Sequence, residues 1–167
     1  MKMKTRDIVI LAMFAAMMVV SKKLMEIFPN VHLIGMFIVL LTAVYRKAAL
    51  IPLYVYVFID GLIGGFALWW WPYLYVWTAL WAMTMLIPQK LSERVKNVLY
   101  VFVCALHGFA FGLLYMPGQM LMFGYDLKLG LAWWLAGLPF DLIHGVSNLF
   151  LGVLMIPMMK IIKRIRQ

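Results

Sequence analysis

Asp141, His144, Ser147 and Asn148 lie inside the last apolar run of the chain, and the spacing of Asp141, His144 and Asn148 at i, i+3 and i+7 places them on one helix face. Gly145 and Gly152 thin the adjoining surface. A carboxylate there can accept from an amine or a protonated ring, and the imidazole and carboxamide can bond ring heteroatoms or hydroxyls. In hydrocarbon an Asp costs roughly 2.5 to 3.5 kcal/mol, which turns it toward a protein interior or a wet cavity. The plainer reading has Asp141 capping its helix behind Pro139 and His144 bonding a neighbouring helix. The three residues together favour the capture of a solute.

Catalysis fits the same residues less well. Asp141 could orient His144 for acid–base work, but Ser147 is the one adjacent nucleophile and its type more often packs helices. The chain carries no HExxH, paired CxxC, P-loop, GxSxG or dinucleotide glycine pattern. The expectation is therefore a non-enzyme with no catalytic residue, no cofactor and no metal site.

The elements that must position the stripe follow from composition. Two-thirds of the residues are hydrophobic (66%), 13% are charged and the mean hydropathy is +0.97, which points to an integral membrane protein. The net charge of +9 does not indicate nucleic acid, because the basic residues sit in short connectors between apolar runs. Cys104 stands alone and forms no intrachain disulfide. The basic start leads into an apolar run without a small-x-small cleavage site, so the first helix is expected to be retained.

Six apolar stretches are marked, approximately at 7–24, 31–45, 48–66, 70–87, 98–122 and 138–159, the second being short enough to extend past Pro29 or Arg46. The expected fold is all-α: a single transmembrane domain over 1–167, a compact six-helix bundle with short loops. Lys2, Lys4, Arg6, Arg46, Lys47, Lys90, Arg94, Lys96, Lys160, Lys163, Arg164 and Arg166 would face the cytoplasm, leaving Lys22, Lys23 and Lys128 outside. That bias puts both termini in the cytoplasm and the chain in the cell membrane as a multi-pass protein.

Aromatic residues crowd the outer connectors. Trp69, Trp70, Trp71, Tyr73, Tyr75 and Trp77 read mainly as an interfacial belt, yet neighbours about 100° apart on the helical wheel cannot all face lipid, so at least one tryptophan turns inward. The run from Leu129 to Ala136, with Trp133 and Trp134, is too short to span. It is expected to be re-entrant or interfacial, a lid ahead of a last helix that starts at Pro139. Trp71, Tyr75, Trp133 and Trp134 join the candidate substrate-binding residues as stacking surfaces.

Asp60, followed by Gly61, Gly64 and Gly65, either lines the pocket or reaches interfacial water, and it is kept in the substrate-binding set. His107 is expected to make a helix-packing hydrogen bond. Asn30 and His32 either cap the second helix, the safer reading, or close the first outer connector over a ligand. Glu26 and Lys22 are spaced as an i, i+4 pair of little energetic weight. In the first segment Ala12 and Ala16 form a small-xxx-small patch flanked by Met13, Met17 and Met18, which lets another helix approach closely.

Six short-looped helices, the Ala12-x-x-x-Ala16 patch and the segment Gly137-Leu-Pro-Phe-Asp-Leu-Ile-His-Gly145 together resemble the substrate-binding S components of energy-coupling factor (ECF) transporters, along essentially the whole chain. The resemblance implies an ABC-type importer subunit that captures a vitamin or related micronutrient at the outer face. It would dock through Ala12 and Ala16 onto a transmembrane coupling subunit driven by two cytoplasmic ATPases, and topple in the membrane to deliver its ligand. Substrate identity does not transfer, and the residues themselves favour a small aromatic heterocycle. The alternative is a stand-alone channel or ion-coupled carrier using Asp60, His107 and Asp141 as a proton path. A third reading is a membrane scaffold with no ligand.

Overall fold

The computed structural model describes residues 3–166, so Lys2 of the expected cytoplasmic set lies outside the described residues. Helices are the only regular elements among the described residues, with no strand: α1 (Thr5–Met25), α2 (Ile34–Tyr45), a 3-10 turn (Arg46–Ala49), α3 (Leu50–Gly64), α4 (Tyr73–Met85), α5 (Glu93–Phe109), α6 (Phe111–Phe123) and α7 (Leu127–Arg166). Three stretches, Thr5–Met25, Ile34–Gly64 and Leu127–Arg166, are long and apolar enough to cross a membrane, and α5 with α6 forms a fourth when the pair is taken as one span bent by 41°.

α2 forms the centre of the bundle. Its sequence IGMFIVLLTAVY is apolar on every side, so no face prefers the exterior, and all 12 residues are buried. At about 18 Å it is shorter than its neighbours, and α4, α5 and α7 pack around it. Arg46, with φ at 54°, ends α2 and starts the tight return into α3.

Contacts between helix ends define two poles. At the first, Arg166 at the end of α7 donates to Asp7 in α1 (3.1 Å) and to the Val44 carbonyl at the end of α2 (2.9 Å), and its guanidinium lies 4.4 Å from the Tyr45 ring centre. Arg46 donates to the Met85 carbonyl at the end of α4, and Lys163 pairs with Glu93 at the start of α5 (3.1 Å). At the opposite pole, Lys22 near the end of α1 pairs with Asp60 near the end of α3. Most basic residues gather at the first pole, here called the basic pole.

The end of the chain departs from expectation. The run 129–136 is neither re-entrant nor a separate interfacial piece; it is the opening of a continuous 40-residue α7, about 60 Å long. Gly124, at φ 67°, terminates α6, and Asp126 accepts the Leu129 N–H at 2.7 Å. That cap starts the helix well ahead of Pro139, which lies inside it rather than at its first position. Pro117 is likewise inside α6, which is helical to Phe123.

From Asp141 onward the buried residues of α7 are Asp141, His144, Gly145, Asn148, Gly152, Met155, Met159 and Ile162, one continuous stripe at helical spacing. It packs chiefly on α5. A Cβ on Gly108 would sit 2.8 Å from both Gly145 Cα and the His144 carbonyl oxygen, so this crossing brings backbone against backbone and glycine is required there.

Candidate ligand-binding site

All three histidines of the chain converge. His107 comes from α5, His144 from the α7 stripe, and His32 from the connector between α1 and α2, three residues beyond Pro29. The His32 and His144 rings meet edge-on at 4.6 Å, His144 lies 4.8 Å from Phe111, and Trp77 bridges the group with centroids 5.6 Å from His32, 5.5 Å from His107 and 5.4 Å from Phe111. Tyr73, one turn before Trp77 on the same face of α4, extends the wall, and Tyr115 stacks on Phe111 at 5.9 Å.

This cluster is polar where its hydrogen bonds are missing. His107 Nε2–H donates to the Val76 carbonyl at 3.0 Å, as a packing bond from this residue would. Yet His107 Nδ1, His32 Nδ1, His144 Nε2 and Trp77 Nε1 are all buried with no protein partner. Each such group costs about 1 to 3 kcal/mol when it is left unpaired, and four in one cluster suit a site that a polar guest completes.

Above the rings lies a cavity of about 200 Å³ lined by Lys22, Met25, Glu26, residues 28–32, Tyr73 and Phe111. The connector folds over it by a turn in which Val31 N–H bonds the Phe28 carbonyl at 3.1 Å, and Asn30 takes φ at 59°. Ser147 Oγ of α7 donates to the His144 carbonyl of its own helix (2.9 Å) and shares that proton with the Asn30 carbonyl at 3.3 Å, which brings the cover against the stripe. His32 and Asn30 therefore close the connector rather than cap α2, whose N-cap is Leu33 with no side-chain bond.

Lys22 does not pair with Glu26. It reaches Asp60 instead, with its ammonium 4.9 Å from the Tyr73 ring centre and 5.3 Å from that of Trp69. Side-chain exposures of 19% and 3% make this a largely buried pair. Glu26 bonds Lys23 at 2.5 Å, and that ammonium holds the Glu26 carboxyl below its usual range. Both acids at the mouth are thus neutralised by lysines.

The remaining candidates separate. Asp141 Oδ1 accepts the Gly112 N–H at 2.8 Å, so it caps α6 at the break rather than its own helix. It borders a shallow hollow with Phe109, Leu138, Pro139 and Leu142, and its Oδ2 is buried without a partner. Asn148 lies deeper; its Nδ2–H donates to the Cys104 carbonyl at 3.1 Å beside Gly35 and Gly108, a helix-packing role. Trp71 is 56% exposed, whereas Trp70 turns inward and donates to the Val57 carbonyl at 2.7 Å. Tyr75 accepts the Gly118 N–H at 3.1 Å on the flank of α6. Trp133 stacks on Tyr115 at 6.2 Å, an outer layer of the aromatic wall, and the Trp134 indole nitrogen is buried without a partner. Of the expected residues, His144 lies in the ring cluster and Asp60 at its mouth. Lys22, Tyr73, Trp77, Phe111 and Tyr115 were not among them.

On the opposite face of α1, Ala12 and Ala16 are exposed while Leu11, Phe14, Ala15 and Met18 are buried. The two alanines line a shallow apolar groove of about 230 Å³ against Ile51, Pro52, Val55 and Ile59 of α3. Among the described residues no three His, Cys, Asp or Glu side chains gather as metal ligands. No protein family model matches the chain, and neither a curated protein nor a solved structure is detectably similar to it.

Proposed function

We propose that the chain is the substrate-capturing membrane subunit of an importer of the ECF type, binding a small heteroaromatic micronutrient beneath the α1–α2 connector. The observation that carries this reading is a set of four unpartnered ring nitrogens, on His32, His107, His144 and Trp77, within one aromatic cluster whose members His32, Tyr73 and Phe111 also line the cavity. Aromatic walls with few, well-placed polar groups are the composition of small-molecule sites. A planar guest can stack on Phe111 and Tyr73 and accept from Trp77 Nε1–H.

In this reading six segments cross the membrane, with the basic pole in the cytoplasm. The apolar outward residues, such as Ile8, Phe58, Phe102 and Phe150, then meet lipid. The ligand cavity opens at the outer side. Ala12 and Ala16 offer a docking strip for a coupling subunit, because small side chains allow a partner helix to approach. The chain supplies recognition and its partners supply ATP hydrolysis.

Reconstitution tests this directly. The purified chain in liposomes should bind its ligand without ATP and accumulate none, and accumulation should appear when a coupling subunit and ATPases are added. Gradient-driven flux by the chain alone would assign it to the carrier class instead.

A further inference from the structure

At the basic pole three arginines are already engaged. Arg6 donates to the Arg166 carbonyl, Arg46 to that of Met85, and Arg166 to Asp7 and Val44. Lys160 and Arg164, in the closing turns of α7, have no ion-pair partner among the described residues. They flank a cavity of about 420 Å³ between α5 and α7, which also takes in Glu93, Asn97 and Lys163. The single carboxylate there, Glu93, is shared by Lys96 at 2.6 Å and Lys163 at 3.1 Å, so the pocket keeps an excess of positive charge.

Helical spacing explains the concentration. Lys160, Lys163 and Arg164 sit at i, i+3 and i+4 and share a face. Toward the middle of the bundle, α7 exposes Leu149 and Val153 on the face that carries Lys160 and Arg164. A cationic pocket is thus followed along the helix axis by an uncovered apolar surface. That order, charge first and hydrocarbon after, is the order of a phospholipid.

We propose that this pocket binds the phosphate headgroup of an anionic glycerophospholipid of the inner leaflet, with its acyl chains along the apolar face of α7. Basic pockets between helices on the cytoplasmic side take such headgroups by charge complementarity. The inference rests on the membrane-spanning reading given above. It does not depend on the identity of the transported ligand.

Native mass spectrometry of the purified full chain, supplied with equimolar phosphatidylglycerol and phosphatidylcholine, tests it. Retention of phosphatidylglycerol should exceed that of phosphatidylcholine by about fivefold or more, the scale expected for one or more unscreened cations. The K160Q/R164Q double variant should bring the ratio near one, while K47Q/K90Q, which leaves this pocket intact, should preserve it. An unchanged ratio in K160Q/R164Q, or an equal fall in both variants, overturns the proposal. Displacement of phosphatidylglycerol by millimolar inorganic phosphate would make this a free-anion site and overturn it as well. So would the absence of lipid preference accompanied by loss of co-purifying subunits in K160Q/R164Q, which would identify a protein contact. A chain that fails to fractionate with membranes would reject the membrane reading itself, an outcome distinct from all of these.

Discussion

His32 and His144 meet edge to face with ring centroids 4.6 Å apart, one carried by a connector and the other by the long closing helix. Their contact joins the connector over the cavity to α7, where Ser147 Oγ also lies 3.3 Å from the Asn30 carbonyl. In the proposed reading, movement of the connector away from α7 separates these rings and uncovers His144 Nε2.

Trp77 separates a binding role from a packing role. W77F keeps most of the ring contact with His107 and Phe111 but removes an N–H that has no protein partner. Without ligand, thermal stability should stay level or rise slightly, because a buried unpaired donor is gone. Ligand affinity should fall about tenfold, the equivalent of one lost hydrogen bond of about 1.4 kcal/mol. Calorimetric titration beside thermal unfolding reads both signs.

The Lys22–Asp60 pair should behave as a buried ion pair. D60N leaves a lysine among Tyr73 and Trp69 without its counter-charge, and such single losses cost about 3 kcal/mol. The double variant K22M/D60L removes both charges and should recover most of that stability. Denaturant titration in detergent tests the non-additivity.

At the α5–α7 crossing, G145A places a Cβ 2.2 Å from the Phe109 ring and G108A places one 2.8 Å from the α7 backbone. Overpacking of this kind costs about 1 to 3 kcal/mol. Because the crossing also carries His144, affinity should fall along with melting temperature. G152A, with 3.5 Å to its nearest neighbours, should be mild in both assays.

The proposed docking strip on α1 predicts the opposite pattern. Trp in place of Ala12 and Ala16 fills the groove against Ile51 and Val55 on an exposed face. Uptake with the coupling module should disappear while ligand affinity of the isolated chain is nearly unchanged. Equal loss of both would assign the alanines to internal packing.

The stripe on α7 was legible in the sequence because helical spacing is a local property: Asp141, His144 and Asn148 had to share a face, and all three are buried. Their separate duties were not legible. Whether a buried carboxylate meets a ligand or the Gly112 N–H depends on where α5 breaks, and nothing near Asp141 encodes that distance. Lys22 passed over the nearby Glu26 for a carboxylate in α3, a tertiary choice driven by burial. The early start of α7 did have a local signal, Gly124 followed by Asp126, but it competed with Pro139, whose preference for a first turn was overridden by a helix already under way. Trp77 was obscured by the abundance of its neighbours, since six aromatics between positions 69 and 77 all fit an interfacial belt.

The central claim is that the ring cluster of His32, Trp77, His107 and His144 captures a small polar heterocycle. Native mass spectrometry of the membrane-purified chain, compared with a W77F/H144A variant, addresses it most directly. The account predicts a retained small molecule on the wild-type protein, lost or sharply reduced in a variant that still folds and melts cooperatively. A wild-type protein that carries no ligand and binds none from a vitamin panel, or a ligand retained equally by the variant, would contradict it.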